Sequence, residues 1–239
     1  MSQWTQSLNP EQIDAVLHNK GPLLILAGAG SGKTTVLVTR TGRLIDEGVT
    51  PAKNIVVLTF TNKSALELKD RVQKKVGKKS RGITAGTFHS FGVSILKKHY
   101  EAAGLPKSFG IIDSGDSRAI LRDLVKHSNH YDKESVSLEK LLSLISQWRQ
   151  TGKTKVADSD PDDPYLELTQ VLLPKYIKQL ELLGVVDFEG LLLKPIEIFQ
   201  NNSAILAEYQ YNIKQLMVDE FQDTNLTQMK LINLSLIHI

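Results

Sequence analysis

The stretch Ala27-Gly28-Ala29-Gly30-Ser31-Gly32-Lys33-Thr34 decides how the rest of the chain is interpreted. It follows an apolar run, 23–27, and precedes a helix-compatible run, 35–40. A strand, a glycine-rich turn and a helix in this order favour a phosphate-binding loop, because successive backbone N–H groups converge on an anion at the helix N-terminus. A glycine-rich turn without a ligand is the alternative, and the agreement of spacing, flanks and Lys-Thr pair speaks against it.

The side chains of this stretch suggest a division of roles. Lys33 would reach the β- and γ-phosphates of a nucleotide, and Thr34 would offer its hydroxyl to Mg²⁺. Ala27 stands where the usual pattern has glycine, and alanine tolerates most turn conformations except a strongly left-handed one.

Composition sets only broad limits. The 239 residues, 41% of them hydrophobic and 23% charged, suit one large globular domain or two modest ones. No apolar run approaches the roughly 20 residues of a membrane span, and the N-terminus does not resemble a signal peptide. We therefore expect a cytoplasmic protein without a membrane partner. The absence of cysteine excludes disulfides, and the net charge of +3 does not by itself indicate nucleic acid.

The first helix is predicted to begin after Asn9, a favourable N-cap that is followed by Pro10. Gln12 then lies where its amide can reach back to the cap in a capping box. A contact from Gln12 to adenine is the functional alternative. The sequence leaves both open, and both can hold.

Buried strands and helices alternate over residues 1–91. The apolar runs 55–60 and 83–86 indicate two strands of a parallel sheet. Phe60 and Phe88 follow the carboxyl ends of these strands, where ligands bind in open α/β sheets. Each ring can pack in the core or stack on a base.

The helix after the first of these strands ends in a basic segment. Its cations are Lys69, Arg71, Lys74, Lys75, Lys78, Lys79 and Arg81. A solvated helix C-terminus, where cations are favourable, and a contact with a phosphate backbone both remain open.

Helical patterns dominate residues 92–190, which we interpret as an insertion between two parts of an α/β domain, 1–91 and 191–239. The predicted helices are Arg118–His127, Leu138–Arg149 and Tyr165–Leu183. An acidic, proline-bearing loop is predicted at 158–164, and Trp148 is expected to pack internally.

The α/β pattern returns with a helix, 203–212, and a strand, 213–218, that runs into Asp219 and Glu220. Two carboxylates at the end of a strand supply what a Mg–nucleotide site needs, one in the Mg²⁺ shell and one as a base for the attacking water. This pattern is weak alone and strong beside a phosphate loop.

Together these motifs resemble the N-terminal half of superfamily 1 DNA helicases of the UvrD/Rep/PcrA kind. The matching segments are Leu8–Gln12 (the Q motif), Ala27–Thr34 (motif I), Thr59–Ala65 (motif Ia), Gly86–Phe91 (a DNA-side motif), Val186–Leu192 (an acidic motif) and Val218–Asn225 (motif II).

The resemblance implies a RecA-like P-loop NTPase domain, a parallel sheet flanked by helices with a mostly helical inserted subdomain. It also implies ATP-driven 3′→5′ translocation on single-stranded DNA and unwinding at duplex junctions. The implied nucleotide contacts are Gln12, Ala27, Gly28, Ala29, Gly30, Ser31, Gly32, Lys33, Thr34 and Thr35. The implied catalytic residues are Glu220, Lys33 and Gln222, and the Mg²⁺ ligands are Thr34 and Asp219. The implied DNA contacts are Phe60, Thr61, Asn62, Thr87, Phe88 and His89.

The chain departs from the family pattern in three places. Thr35 stands where members often have arginine near the adenine, and Gly190 where they usually have an acid. The chain also ends before motifs III to VI and before the arginines that a second RecA-like domain contributes in the family. We expect that second domain as a partner. Residues 234–239 do not match the approach to motif III, so we expect a truncated frame or appended residues.

Two other functions are open. A nucleotide-gated module that binds single-stranded DNA without catalysis fits the missing half and the basic segment. An unrelated phosphate-loop enzyme, such as a small-molecule kinase, leaves the motifs around Phe60 and Phe88 unexplained.

Overall fold

The computed structural model describes residues 3–128, 136–152 and 163–236. In chain order its helices are α1 (Pro10–Leu17), α2 (Lys33–Asp46), α3 (Asn62–Val76), α4 (Phe88–Lys98), α5 (Ser114–Lys126), α6 (Leu138–Thr151), α7 (Pro164–Leu183), α8 (Gly190–Asn201), α9 (Ser203–Asn212) and α10 (Leu226–Ser235). Its strands are β1 (Ile55–Thr59), β2 (Thr84–Thr87), β3 (Gly110–Ile111), β4 (Val185–Val186) and β5 (Gln215–Val218). Residues 237–239 of the predicted C-terminal departure lie outside the described ranges.

The chain divides into two compact units, Met1–Phe91 with Ser203–Ile239, and Gly92–Asn202. The second unit includes α8, which the sequence interpretation assigns to the second part of the α/β domain. α8 belongs to the second unit because it packs closely against α4. The Gly92 backbone in α4 lies so near the Leu191 carbonyl of α8 that a Cβ there would collide with it. Whether these units correspond to the family's subdomains stays a prediction.

A parallel three-stranded sheet, with the order β2-β1-β5, forms the centre of the first unit. Val57 of β1 is in register with Ala85 on one side and Met217 on the other. β1 is buried along its whole length, as its apolar, β-branched sequence predicts for a central strand. Leu44 of α2 and Leu68 of α3 complete the core cluster beside Val57. The predicted fold class, a parallel sheet flanked by helices, is confirmed.

The strand predicted at 23–27 does not form. Leu24 and Leu26 are 62% and 85% exposed, and β5 pairs only with β1 among the described residues. A strand is defined by a hydrogen-bonded neighbour, so apolar β-forming residues alone do not make one. The prediction was wrong because it judged the segment without a partner strand.

Three helices, α5, α6 and α7, form the core of the second unit. Leu121, Ile145 and Tyr176 are fully buried between them. β3 and β4 form a two-residue parallel pair that the sequence did not indicate. Most of the predicted acidic loop 158–164 lies outside the described residues. Within the described ranges no helix combines the length and apolar composition needed to cross a membrane.

A buried carboxylate, Asp187, ties this unit together. It is 5% exposed and accepts hydrogen bonds from Arg149 Nη1 at 2.5 Å, Tyr176 Oη at 2.9 Å and the Gly190 N–H at 2.9 Å. Burial raises the pKa of Tyr176, so its hydroxyl stays protonated and donates. A Cβ at Gly190 would lie 3.0 Å from Asp187 Oδ1 and 2.8 Å from Val186 Cγ1, so glycine fits this position better than the acid usual in the family.

We predict that Asp187→Asn lowers the free energy of unfolding by about 3–5 kcal/mol, because it leaves the buried Arg149 guanidinium without its counter-charge. Tyr176→Phe removes one donor and should cost only about 1 kcal/mol. Urea denaturation followed by circular dichroism measures both values. Equal decreases in unfolding free energy in the two variants would show that the ion pair stabilises the fold no more than one hydrogen bond does.

We also predict that Leu24→Lys with Leu26→Lys leaves the unfolding free energy unchanged and reduces self-association, because both side chains are exposed. Sedimentation velocity at several protein concentrations measures the second effect. The control is Leu58→Ala in the buried strand β1, which should cost about 2–5 kcal/mol. A comparable loss in the double lysine variant would contradict the exposed position of this segment.

Candidate functional site

The phosphate-loop stretch is folded by its own polar groups. Lys33 Nζ donates to the carbonyls of Ala27 and Gly28 at 2.9 and 3.0 Å, and Ser31 Oγ donates to the Gly28 carbonyl at 2.7 Å. These bonds hold the ammonium against the loop at the N-terminus of α2. Backbone N–H groups and a positive helix end at this point favour an anion.

Two glycines are required by the loop conformation. Gly30 and Gly32 have φ values of 75° and 87°, the left-handed region that side chains disfavour. A Cβ at Gly32 would also lie 2.9 Å from Gln12 Nε2. Ala27 lies outside this region, since Glu220 is the only non-glycine residue with positive φ among those described. Alanine in place of the usual glycine is therefore compatible with the loop.

Gln12 makes both a capping contact and a loop contact. Its N–H donates to Asn9 Oδ1 at 2.8 Å, and its Oε1 accepts from the Asn9 N–H at 3.1 Å, which confirms the predicted capping box. Its Nε2 donates to the Ser31 carbonyl at 3.0 Å. The side chain thus lies beside the phosphate loop, and its contact with adenine stays a prediction.

The carboxylates follow β5 directly. The Asp219 N–H donates to the Leu58 carbonyl at 2.9 Å, which continues the ladder between β5 and β1 by one bond. Glu220 has φ 52° and ψ 45°, a conformation that costs about 1–3 kcal/mol in a residue with a side chain and is concentrated at functional sites. Gln222 Nε2 donates to Glu220 Oε2 at 2.6 Å and fixes the carboxylate.

Electrostatics link the loop to these carboxylates. Burial and then the charge of Glu220 raise the pKa of Asp219, while the Glu220 N–H and the Lys33 ammonium oppose the rise. The loop and the strand end belong to the same unit, and the Lys33 ammonium is among the charges that lower the pKa of Asp219.

The oxygens at this site suit Mg²⁺. The ion prefers a carboxylate and a hydroxyl, and it usually keeps waters and substrate phosphates as its other ligands. Asp219 carries a carboxylate directly after β5, and Thr34 carries a hydroxyl at the start of α2. Their role as Mg²⁺ ligands stays a prediction. A divalent cation would also favour the charged form of Asp219, whose pKa is raised by burial and then by the charge of Glu220.

The predicted DNA-side residues lie at the carboxyl ends of neighbouring strands, where Thr59 pairs with Thr87. The rings of Phe60 and Phe88 meet edge to face with centroids 6.0 Å apart. Phe88 is only 1% exposed, so its ring belongs to the core and supports Phe60, which is partly exposed. Phe60, and not Phe88, can therefore offer a ring face to a base.

The polar residues around these rings occupy helix starts. Thr61 Oγ1 accepts from the Ser64 N–H at 3.0 Å, and Thr87 Oγ1 accepts from the Ser90 N–H at 3.1 Å. Asn62 is exposed and His89 is partly buried. The structure thus gathers Thr61, Asn62 and Thr87 at the same edge as Phe60.

Acidic neighbours offset part of the basic segment. Lys74 and Lys79 pair at 2.7 Å with Asp70 and Asp46, and Arg71 lies 3.9 Å from Glu67. These pairs favour the solvated helix end without excluding a contact with phosphates.

Two buried residues of α2, Arg40 and Arg43, contact α1 and were given no role from the sequence. Together with Val36 they occupy positions i, i+4 and i+7, which share one face of a helix. This spacing is the signal that could have placed them on the buried side.

Comparison with known proteins agrees with the motifs. A family model described as "UvrD/REP helicase N-terminal domain" matches residues 8–237. A protein named "Probable DNA helicase II homolog" from Rickettsia conorii is 39% identical over 226 residues, which cover 93% of this chain and 34% of the relative. The "ATP-dependent DNA helicase PcrA" of Staphylococcus aureus is 36% identical over 235 residues, or 98% of this chain and 32% of the relative.

The chain spans about a third of the length of these relatives. The family match covers nearly all of the chain and includes every motif quoted from the sequence. The resemblance is therefore confirmed: this chain belongs to the UvrD/REP helicase N-terminal domain family.

Proposed function

We propose that this chain is the ATP-binding and ATP-hydrolysing part of a DNA helicase that translocates 3′→5′ on single-stranded DNA and unwinds duplex. The observation that carries the proposal is the glycine-rich loop at the start of α2, where the Ala27 and Gly28 carbonyls hold Lys33 Nζ, in the same unit as the carboxylates that follow β5. The relatives named as DNA helicases support the reaction.

Nucleotide binding uses the loop from Ala27 to Thr34. Its backbone N–H groups hold the phosphates, and Lys33 exchanges its two carbonyl acceptors for phosphate oxygens. Thr34 and Asp219 hold Mg²⁺, which neutralises phosphate charge when bound. Gln12 and Thr35 are assigned to the base and sugar, and threonine in place of the arginine that family members often have implies looser recognition there.

Hydrolysis uses Glu220. Its carboxylate orients a water and takes a proton from it as the water oxygen bonds to the γ-phosphorus and the bond to the β-phosphate oxygen breaks. The contact with Gln222 holds the carboxylate before the reaction, and the same glutamine links the site to the DNA side.

The DNA track runs over the carboxyl ends of β1 and β2. Phe60 stacks on a base, a contact worth about 1–3 kcal/mol, and Phe88 supports its ring from the core. Thr61, Asn62 and Thr87 contact the sugar–phosphate backbone from the same edge, and His89 completes the track.

Full activity requires a second RecA-like domain. Arginines supplied from outside a phosphoryl-transfer site are worth about 10³–10⁵ in rate. The 239-residue chain alone therefore binds nucleotide weakly, turns over slowly and does not unwind duplex. A cytoplasmic location, where DNA and ATP are both available, belongs to the same proposal.

We predict slow ATP hydrolysis that single-stranded DNA stimulates, and a decrease of about 10²–10⁴-fold in Glu220→Gln because the base is lost. Lys33→Ala should lose nucleotide binding altogether. A coupled phosphate-release assay and a fluorescent ATP analogue measure the two effects. Glu197→Gln, an exposed acid in α8, is the matched control and should behave as the unaltered chain does.

Three outcomes would change this proposal. Unwinding of duplex by the purified chain would contradict the need for a second domain. DNA binding that does not depend on ATP, together with an absence of ATP hydrolysis, would favour the alternative of a single-strand-binding module. Phosphate transfer to a small acceptor would favour a small-molecule kinase.

We also predict that Asp219→Asn raises the Tm at pH 7 and abolishes the further rise that Mg²⁺ and ATP together produce. Because the folded-state pKa of Asp219 is raised, the unaltered chain loses stability as the pH rises from the ordinary aspartate pKa, about 3.9, through the raised value. The asparagine variant lacks this loss. Differential scanning fluorimetry from pH 3 to pH 8, with and without Mg²⁺ and ATP, measures the Tm of each variant. The control is Asp14→Asn, because Asp14 is an exposed residue of α1. A Tm at pH 7 that is lower in Asp219→Asn than in the unaltered chain would contradict this prediction.

A further inference from the structure

We propose that Arg40 and Arg43 are positioning residues that hold helix α1, and with it Gln12, against the phosphate-loop helix α2. Both arginines lie on α2, and their side chains contact α1 or the residues that follow it. The inference rests on the proposed function, because it assigns these arginines to the adenine contact of Gln12.

Arg40 is 8% exposed and joins three elements of the first unit. Its Nη1 donates to the Ala15 carbonyl at 3.0 Å and to the His18 carbonyl, both at the C-terminal end of α1. Its Nη2 donates to Gln215 Oε1 at 3.3 Å, at the start of β5. One guanidinium therefore links α1 and α2 to β5, the strand that Asp219 follows.

Arg43 is 3% exposed and contacts the same end of α1. Its Nε donates to the Val16 carbonyl at 3.0 Å, and its Nη2 donates to Asn19 Oδ1 at 2.5 Å. Its Nη1 pairs with Glu47 at 3.0 Å, which supplies a counter-charge.

The acceptors explain why two like charges are buried here. Ala15 and Val16 are among the last residues of α1, whose carbonyls have no partner within the helix and form the negative end of its dipole. Cations with fixed donor geometry satisfy these carbonyls in a way that water cannot once the helix is packed. The arginines thus act as a C-terminal cap supplied by a neighbouring helix.

α1 depends on such a cap because its own packing is small. It has 8 residues, shorter than the roughly 12–15 that an isolated helix needs for even marginal stability. Its apolar contact is a small cluster of Ala15 and Val16 with Val36 of α2, against which Leu8 packs. The arginine contacts therefore form a large part of what fixes α1 on α2.

The position of α1 in turn sets the position of Gln12. Gln12 lies one turn before the capped carbonyls, and its Nε2 donates to the Ser31 carbonyl in the loop. A Cβ at Gly32 would lie 2.9 Å from that nitrogen, so the amide is already closely packed there. A shift of α1 would move this amide while the loop's own bonds, from Lys33 and Ser31, stay intact.

The experiment compares two ligands on the 239-residue chain by isothermal titration with Mg²⁺: ATP, and inorganic tripolyphosphate, which has no base. Arg40→Lys keeps the charge and loses the fork of donors. We expect it to weaken ATP binding about tenfold, the equivalent of one charge-assisted hydrogen bond, and tripolyphosphate binding less than about twofold. Gln12→Ala should give the same selective loss.

A double-variant cycle shows whether Arg40 acts through Gln12. If it does, adding Arg40→Lys to Gln12→Ala causes no further loss of ATP affinity. Asn19→Ala, which removes one surface contact of Arg43, is the milder second variant if Arg40→Lys does not fold, and it should give a smaller selective loss. Arg71→Gln on α3 is an arginine control, because Arg71 is exposed and pairs with Glu67 of its own helix, and it should change neither affinity.

The outcomes separate this inference from the function on which it rests. A selective loss in Gln12→Ala but none in Arg40→Lys overturns the inference and leaves the adenine contact standing. Equal losses for both ligands in Arg40→Lys also overturn it, because they indicate general loosening. No selective loss in Gln12→Ala overturns the adenine contact and, with it, the role given to the arginines.

Discussion

The parallel pairing of β1 with β5 is the constraint on which the site depends. The strands are neighbours in the sheet but belong to parts of the chain that the second unit separates in sequence. Their register, with Leu58 opposite Val218, places Asp219 beside the carboxyl end of β1. The Lys33 ammonium then acts on a carboxylate that lies far from it in sequence. Backbone hydrogen bonding thus assembles chemistry that no local segment contains.

Buried charge is used in both units, and in each it is satisfied by several partners. Asp187 accepts bonds from a cation, a hydroxyl and a backbone N–H. Arg40 and Arg43 each donate to a carbonyl that the end of α1 leaves without a partner, and each also donates to a side-chain oxygen. A charge taken out of water is tolerated only when such bonds replace its hydration, so these residues fix one arrangement of the elements around them.

Destabilising features are concentrated at the phosphate and carboxylate end of the first unit. Glu220 has a left-handed backbone, and Asp219 carries a charge that burial and its neighbour disfavour. Gln222 restrains the glutamate, and Lys33 partly offsets the charge of the aspartate. A strained backbone and a disfavoured charge persist in a fold when a site needs its groups held ready for a ligand. These two features are therefore the physical reason to propose that the reaction takes place at this end of the unit.

The sequence by itself determined the features that follow local rules. The Asn9–Gln12 capping box, the glycines of the loop and the bounds of α9 depend on residues a few positions apart, so spacing was enough to predict them. The ordered motifs also identified the family, because each is a local pattern. The roles given to the site residues stay predictions, to be tested by ligand binding and hydrolysis.

Only the tertiary structure decided the features that need a distant partner. The run 23–27 has strand-forming residues but no ladder neighbour, and the ring of Phe88 lies in the core while Phe60 reaches the surface. Arg40 has no assigned role in the sequence, and its place in the structure depends on the Ala15 carbonyl that accepts its hydrogen bond. In each case the conformation and burial of the residue depend on what packs against it. Contacts between segments that are remote in sequence set the free energy of that packing, so the sequence of one segment does not reveal it.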